Sequence, residues 1–246
     1  MTPGGERVGS NDPDVVRRQY ASEQGLAARS SLYAETTGPF AGDVAFAAVA
    51  EVAPRFLEVG CGTGWFAARV RAELGADVVA VNQSERMVEL ACAEGLDARV
   101  ADAQALPFDD GEFDCVAANW MLYHVADLDR GLAEIARVLG SDAGRLVAMT
   151  NGVDHLELWE LVGAAELRVG RDLTFNAANG EEILRRHFPR VELRDSAGTV
   201  TIPGREAVVR YVRSTERWRS YADGVPERVE PFIARRSNVV FVADTA

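Results

Sequence analysis

The chain has 246 residues, 48% hydrophobic and 26% charged, enough to bury a full core and best suited to one α/β domain with embellishments. Lys plus Arg number 26 and Asp plus Glu 38, a net charge of −12, which repels a nucleic-acid backbone and argues against DNA or RNA as substrate. There is no run of ~18 apolar residues, no signal-peptide pattern and no metal-ligand or redox spacing among Cys61, Cys92 and Cys115, so the expectation is a soluble cytoplasmic protein without a metal, monomeric or homodimeric.

Residues 1–13 are rich in Gly, Pro, Ser, Asn and Asp and are expected to form a disordered tail. Apolar residues recur at helical intervals from Asp14 to about Tyr33, with Gly25 as the break between two short helices. Gly42 to Val52 is a third helical run, ended by Pro54, so residues 14–54 form a helical unit ahead of the main domain, 55–246. Strand patterns follow at Phe56 to Val59, Asp77 to Val81, Ala98 to Ala101, Phe113 to Ala118 and Gly144 to Thr150. Helical patterns lie between them at Thr63 to Leu74, Ser84 to Glu94 and Leu128 to Leu139, and Gly140, Ser141 and Asp142 mark a turn. Such alternation predicts a parallel sheet with helices on both faces. Beyond Thr150 the order loosens: helices are expected at His155 to Val169, Glu181 to Phe188, Arg205 to Ser214 and Glu227 to Arg235, and strands at Val191 to Leu193, Thr199 to Ile202 and Asn238 to Val242.

The stretch Arg55-Phe-Leu-Glu58-Val-Gly60-Cys-Gly62-Thr-Gly64 reads as strand, tight turn and helix. Glycines let the backbone approach a ligand, and the amides at the start of the following helix attract an anionic group. A dinucleotide fingerprint would place its third glycine at 65, where Trp65 stands, which counts against NAD. At the end of the second strand, where a nucleoside-binding fold usually carries an acid for the ribose, the chain has Asn82 with Gln83 beside it. Asn82 can hydrogen-bond a diol or simply start the turn before the Ser84 helix cap. At the end of the third strand, the Asp102 carboxylate and the Ala103 amide suit the edge of an adenine, although Asp102 alone could be an ordinary loop acid.

Glu58-Val-Gly-Cys-Gly-Thr-Gly64, Ser84-Glu-Arg-Met87, Asp102-Ala-Gln-Ala-Leu-Pro-Phe108 with Phe113-Asp114, and Glu134-Ile-Ala-Arg-Val-Leu139 resemble, in order and spacing, class I S-adenosylmethionine-dependent methyltransferases. The resemblance is to the methyltransferase-11 group. It implies a Rossmann-like, mostly parallel sheet of seven strands ordered 3-2-1-4-5-7-6, a helical N-terminal lid, and an acceptor-pocket insertion after strand 5 at about 151–188. It implies S-adenosylmethionine as cofactor and a small-molecule acceptor. Gly60, Gly62 and Gly64 would meet its methionyl part, with Glu58 and Asn119 beside them; position 82 would meet the ribose, and Asp102 and Ala103 the adenine, with Met87 nearby. Trp120 could lie against the cationic sulfur.

His124 is the candidate general base, because imidazole titrates near neutral pH, and some small-molecule members pair this histidine with a lid tyrosine, here Tyr20. His155 falls just past the fifth strand, at the sheet edge where α/β folds bind ligands, and with Tyr123 and Trp159 is expected to line the acceptor side. Arg29 is placed to hold the cofactor carboxylate as a bidentate partner, or else is an ordinary solvated arginine. Two rival readings keep the pocket and change the chemistry: a cofactor-binding protein or cyclase without methyl transfer, and a nucleotide-dependent oxidoreductase.

Overall fold

The computed structural model describes residues 11–52, 55–140, 143–152, 155–165 and 173–246. Expectations about residues 1–10, Pro54, Ser141, Asp142, Asp154, Leu167 and Val169 lie outside the described residues. The central sheet contains β1 (Arg55–Val59), β2 (Asp77–Asn82), β3 (Asp97–Val100), β4 (Cys115–Ala117), β5 (Arg145–Asn151), β6 (Arg190–Asp195) and β7 (Asn238–Asp244). Their order is 3-2-1-4-5-7-6, as the family resemblance implied. The first five strands run parallel, and β7 lies antiparallel between β5 and β6.

Strand β1 explains the layering. Phe56 packs with Phe66, Ala67 and Val70 on one face, while Leu57 and Val59 pack with Leu132, Ile135 and Val138 on the other. A strand buried on both faces needs a continuous apolar run, which Phe56-Leu57 and Val59 supply. Helices α3 (Ala41–Ala50), α4 (Trp65–Leu74) and α5 (Glu85–Ala93) contribute to the first face, and α6 (Leu128–Val138) covers the second.

Ahead of them lie α1 (Pro13–Gln19) and α2 (Gln24–Ser30). The Asp12 carboxylate caps α1 by accepting from the amides of Asp14 and Val15, and Pro13 at the first turn needs no donor there. Asp12 and Pro13, within the stretch expected to be a disordered tail, thus form the cap and first turn of a helix. Gly25 lies inside α2; the break falls at residues 20–23, ahead of it.

A second, three-stranded antiparallel sheet has Gly198–Ile202 at its centre, flanked by Thr36–Thr37 and Phe232–Arg236. Glu227 to Arg235 is therefore not a helix: Pro231 denies the run a backbone donor, and its second half pairs as a strand. Helix α7 (Leu156–Leu161) is shorter than expected, because Gly163 adopts φ 70° and the Ala164 amide folds back to the Trp159 carbonyl. Helices α8 (Gly180–Leu184) and α9 (Arg205–Arg213) follow. The small sheet, α7 and α9 share a third apolar cluster around Trp159, Val200, Val208 and Tyr211, which Leu32 from the N-terminal segment enters. Among the described residues no helix is long and apolar enough to cross a membrane.

Candidate functional site

The glycine turn sits at the carboxyl end of β1, tied down by the Gly60 and Cys61 amides, which both donate to the Val81 carbonyl at 2.8 and 3.1 Å. Gly60 has φ 73°, and a Cβ there would lie 2.8 Å from the Met121 side chain, so only glycine lets Met121 sit over the turn. Gly62, at φ 55°, has Leu26 of α2 as its nearest neighbour, 3.6 Å from a Cβ position and in ordinary contact with it. Gly64 is different from its expected partner: a Cβ there would strike Leu96 and Ala91, so its smallness serves helix packing.

Below the turn, Glu58 is 2% exposed. Its carboxyl accepts from the Ala67 amide at 3.0 Å and the Asn119 Nδ2 at 3.1 Å. Burial pushes its pKa up to about 8, and the two hydrogen bonds oppose that rise only in part. Asn119 is also buried, and its Oδ1 has no hydrogen-bond partner. A buried unpaired acceptor is costly. Together with a turn that only glycine can make, it fits a ligand that carries donors and lies against backbone, as the methionyl part of S-adenosylmethionine does.

At the ends of β2 and β3, the Asn82 Oδ1 accepts from the Ser84 amide at 3.0 Å, so Asn82 starts the turn before α5. Ser84 Oγ caps that helix by accepting from the Met87 amide at 3.2 Å, and donates to the Tyr20 carbonyl at 2.8 Å. Gln83 Nε2 reaches Asp102 Oδ1 at 3.3 Å, which joins the two positions expected at ribose and adenine. The Asp102 carboxylate also accepts from the Gln104 amide and side chain. Ala103 and Met87 are buried.

Past β4 the chain turns sharply at Trp120, whose φ of 52° is rare for a bulky residue and costs about 1–3 kcal/mol. Its indole Nε1 donates to Asn151 Oδ1 at 3.1 Å and its side chain is partly buried against the apolar cluster that contains Phe56, the packing role that was the alternative to a place beside the sulfur. Tyr123 and His124 follow in a short 3-10 turn with their rings 4.5 Å apart.

Tyr20 and His124 meet as expected. The Tyr20 hydroxyl lies 3.1 Å from His124 Nε2, with the rings edge-on. Arg29 Nη2 donates to the Tyr20 oxygen at 3.4 Å, and Nη1 to the Ser214 carbonyl at 3.1 Å. Arginine only donates, so the phenol oxygen accepts from it, and the direction of the Tyr20–His124 hydrogen bond is set by the imidazole tautomer. Arg29 is thus hydrogen-bonded to the phenol and to a backbone carbonyl in this structure.

His155 and Trp159 are both fully buried. His155 Nε2 lies 2.9 Å from the Tyr33 hydroxyl and Nδ1 3.1 Å from the Arg235 carbonyl, while Trp159 packs edge-on against Trp218. Trp159 is thereby a core residue of the third cluster rather than an acceptor-lining side chain, because helical spacing reports which face is buried and not against what. The sequence reading missed Ser84 as a tether, Met121 over the turn, and Asn151. The cap signal at Ser84 was present; its second bond to the Tyr20 carbonyl carries none.

Residues 57–147 match the family model described as methyltransferase domain. Methyltransferase GfsG of Streptomyces halstedii is 40% identical over 131 residues, 48% of this chain and 47% of that protein. The ubiquinone/menaquinone biosynthesis C-methyltransferase UbiE of Geotalea uraniireducens (strain Rf4) is 35% identical over 116 residues, 43% of this chain and 49% of that protein. The chain spans about half the length of the curated relatives it matches. Among solved structures, the [4+2]-cyclase SpnF superposes with a TM-score of 0.62 at 18% identity, over 93% of this chain and 94% of that one, a likeness of fold. Residues 57–147 are thus similar in sequence to the methyltransferase domain, and the strand order and the glycine turn agree with that fold.

Proposed function

We propose that the protein methylates a small-molecule acceptor, a metabolite or natural product, at an oxygen, nitrogen or carbon presented beside His124. The observation that carries this reading is the Arg29, Tyr20, His124 chain at the carboxyl edge of the sheet, next to the glycine turn that Leu26 faces. S-adenosylmethionine, when bound, supplies an electrophilic methyl group on a sulfonium. Gly60, Gly62 and Asn119 would hold its methionyl end, Asn82 and Gln83 its ribose, and Asp102 with the Ala103 amide its adenine, once Asp102 exchanges its bonds to Gln83 and Gln104.

In-line displacement needs alignment first and proton removal second. A hydroxyl or ammonium acceptor gives its proton to the Tyr20 oxygen as the Tyr20 proton passes to His124 Nε2, leaving an imidazolium and a restored phenol. Arg29 orients the phenol through the same oxygen. The helices α1 and α2 act here as a lid. Their ties to Ser84 and Ser214 span the cofactor side and the insertion side.

S-adenosylmethionine and its demethylated product should each raise the melting temperature, by ~2.7 kcal/mol of stabilisation at 100 times Kd, and NAD should not. Methyl-labelled cofactor mixed with cell extract should label a small metabolite, and both His124→Ala and Tyr20→Phe should slow that transfer. No shift with either sulfur compound would sink the reading, and full activity in both variants would remove the base assignment. Asn82 favours one alternative, a pocket used for binding or cyclisation, because an amide already tied to Ser84 holds a ribose less firmly than a free carboxylate. Stabilisation by the cofactor without label transfer to any acceptor would select it.

A further inference from the structure

Arg236 is 3% exposed, yet its hydrogen-bond acceptors are neutral oxygens. Nη1 donates to the Ser196 carbonyl at 2.8 Å and to Asn238 Oδ1 at 3.2 Å; Nη2 donates to the carbonyls of Thr37 at 3.1 Å and Pro39 at 3.0 Å. Its Nε is buried without a partner, so those oxygens alone set its orientation. Asn238 and Asn151 face each other across β7 and β5, and Asn238 Nδ2 donates to Asn151 Oδ1 at 2.7 Å. The same oxygen accepts the Trp120 indole at 3.1 Å.

Both ends of this chain, the guanidinium and the indole, have donors only, and the two amides answer both. Arginine has donors only, so the Asn238 oxygen must face it and the Asn238 nitrogen must face Asn151. Asn151 must then answer with oxygen, which is what the indole N–H requires. Without the guanidinium the Asn238 oxygen loses that buried donor, and the anchor at the Arg236 end of the chain is lost. Trp120 carries the left-handed backbone that delivers Met121 over Gly60.

We propose that Arg236 is a positioning residue for the cofactor pocket: through Asn238 and Asn151 it holds Trp120, and through Thr37 and Pro39 it ties that loop to the root of the N-terminal helices. The link to the cofactor rests on the methyltransferase reading; the link to Trp120 does not.

Two isosteric changes separate this role from plain packing. Asn151→Asp keeps an acceptor for both donors, whereas Asn238→Asp still satisfies Arg236 but removes the donor toward Asn151. The readout is hydrogen exchange at the Trp120 indole N–H, identified in ¹⁵N spectra by its loss in Trp120→Phe, together with the Kd of the demethylated cofactor. Asn151→Asp should leave both within about 2-fold, while Asn238→Asp and Arg236→Gln should speed indole exchange and raise Kd about 10-fold, the loss of one buried hydrogen bond. In a Trp120→Phe background, Arg236→Gln should weaken binding no further. Equal behaviour of the two Asp variants, or an unchanged indole in Asn238→Asp, would overturn the proposal, and Asn238→Asp decides the matter if Arg236→Gln does not fold. If the unaltered protein binds neither sulfur compound, the methyltransferase reading falls while indole exchange still tests the relay.

Discussion

Glu58 sits where charge is expensive, and the cost has a pH signature. Its folded pKa of about 8 lies above the ~4.3 of an unfolded glutamate, so the folded state keeps a proton that the unfolded state has lost. Its stabilisation is complete below the unfolded value and is lost as pH rises through 8. Relative to Glu58→Gln, the unaltered protein should therefore lose a few kcal/mol between mildly acidic and mildly alkaline pH. Urea titrations of both proteins on either side of pH 8 would show it; parallel curves would mean that Glu58 ionises freely in the fold. At this scale the sequence was legible wherever one residue type answers one need. The glycines at 60 and 62, the Ser84 cap and the Tyr20 to His124 pair all meet the structure. Arg29 and Trp159 were not legible, because an arginine's partner and a tryptophan's neighbours are chosen by distant chain segments, Ser214 for one and Trp218 for the other.

Among the elements, α5 shows how a local signal acquires a longer reach. Ser84 caps it and also holds the carbonyl of Tyr20, so one hydroxyl serves a helix end and the segment that carries the phenol. Ser84→Ala should cost about 0.5–2 kcal/mol, lowering the melting temperature by several degrees, and should also weaken the effect of Tyr20→Phe on activity. Calorimetry and a double-mutant cycle would check both, and strict additivity would mean that the tether leaves the phenol unaffected. Elements in the regular half read well from their periodicity, with ends displaced by one or two residues. Glu227 to Arg235 misled because alternation and helical spacing overlap in so short a run; pairing with Gly198–Ile202, some thirty residues earlier, decided the outcome.

For the molecule as a whole, two of the three apolar clusters belong to the main sheet and were foreshadowed by alternating strands and helices. The third joins residues from 32 to 234 and has no local periodicity that announces it. Its small sheet pairs Thr36 with Val200 and Val200 with Ala234, and β7 enters the main sheet between two strands already made. Such distant pairings carry a loop-closure cost before they return any stability. During synthesis the glycine turn and β1 to β5 can therefore assemble while Thr36 and Thr37 still lack partners. Pulse-labelled hydrogen exchange should find amides of β1 and β2 protected before those of Gly198–Ile202, and simultaneous protection would contradict that order. The N-terminal segment is made first, yet its partners Val200, Ser214 and Glu216 are made late, so the glycine turn of a nascent chain stands open before that segment can dock beside it.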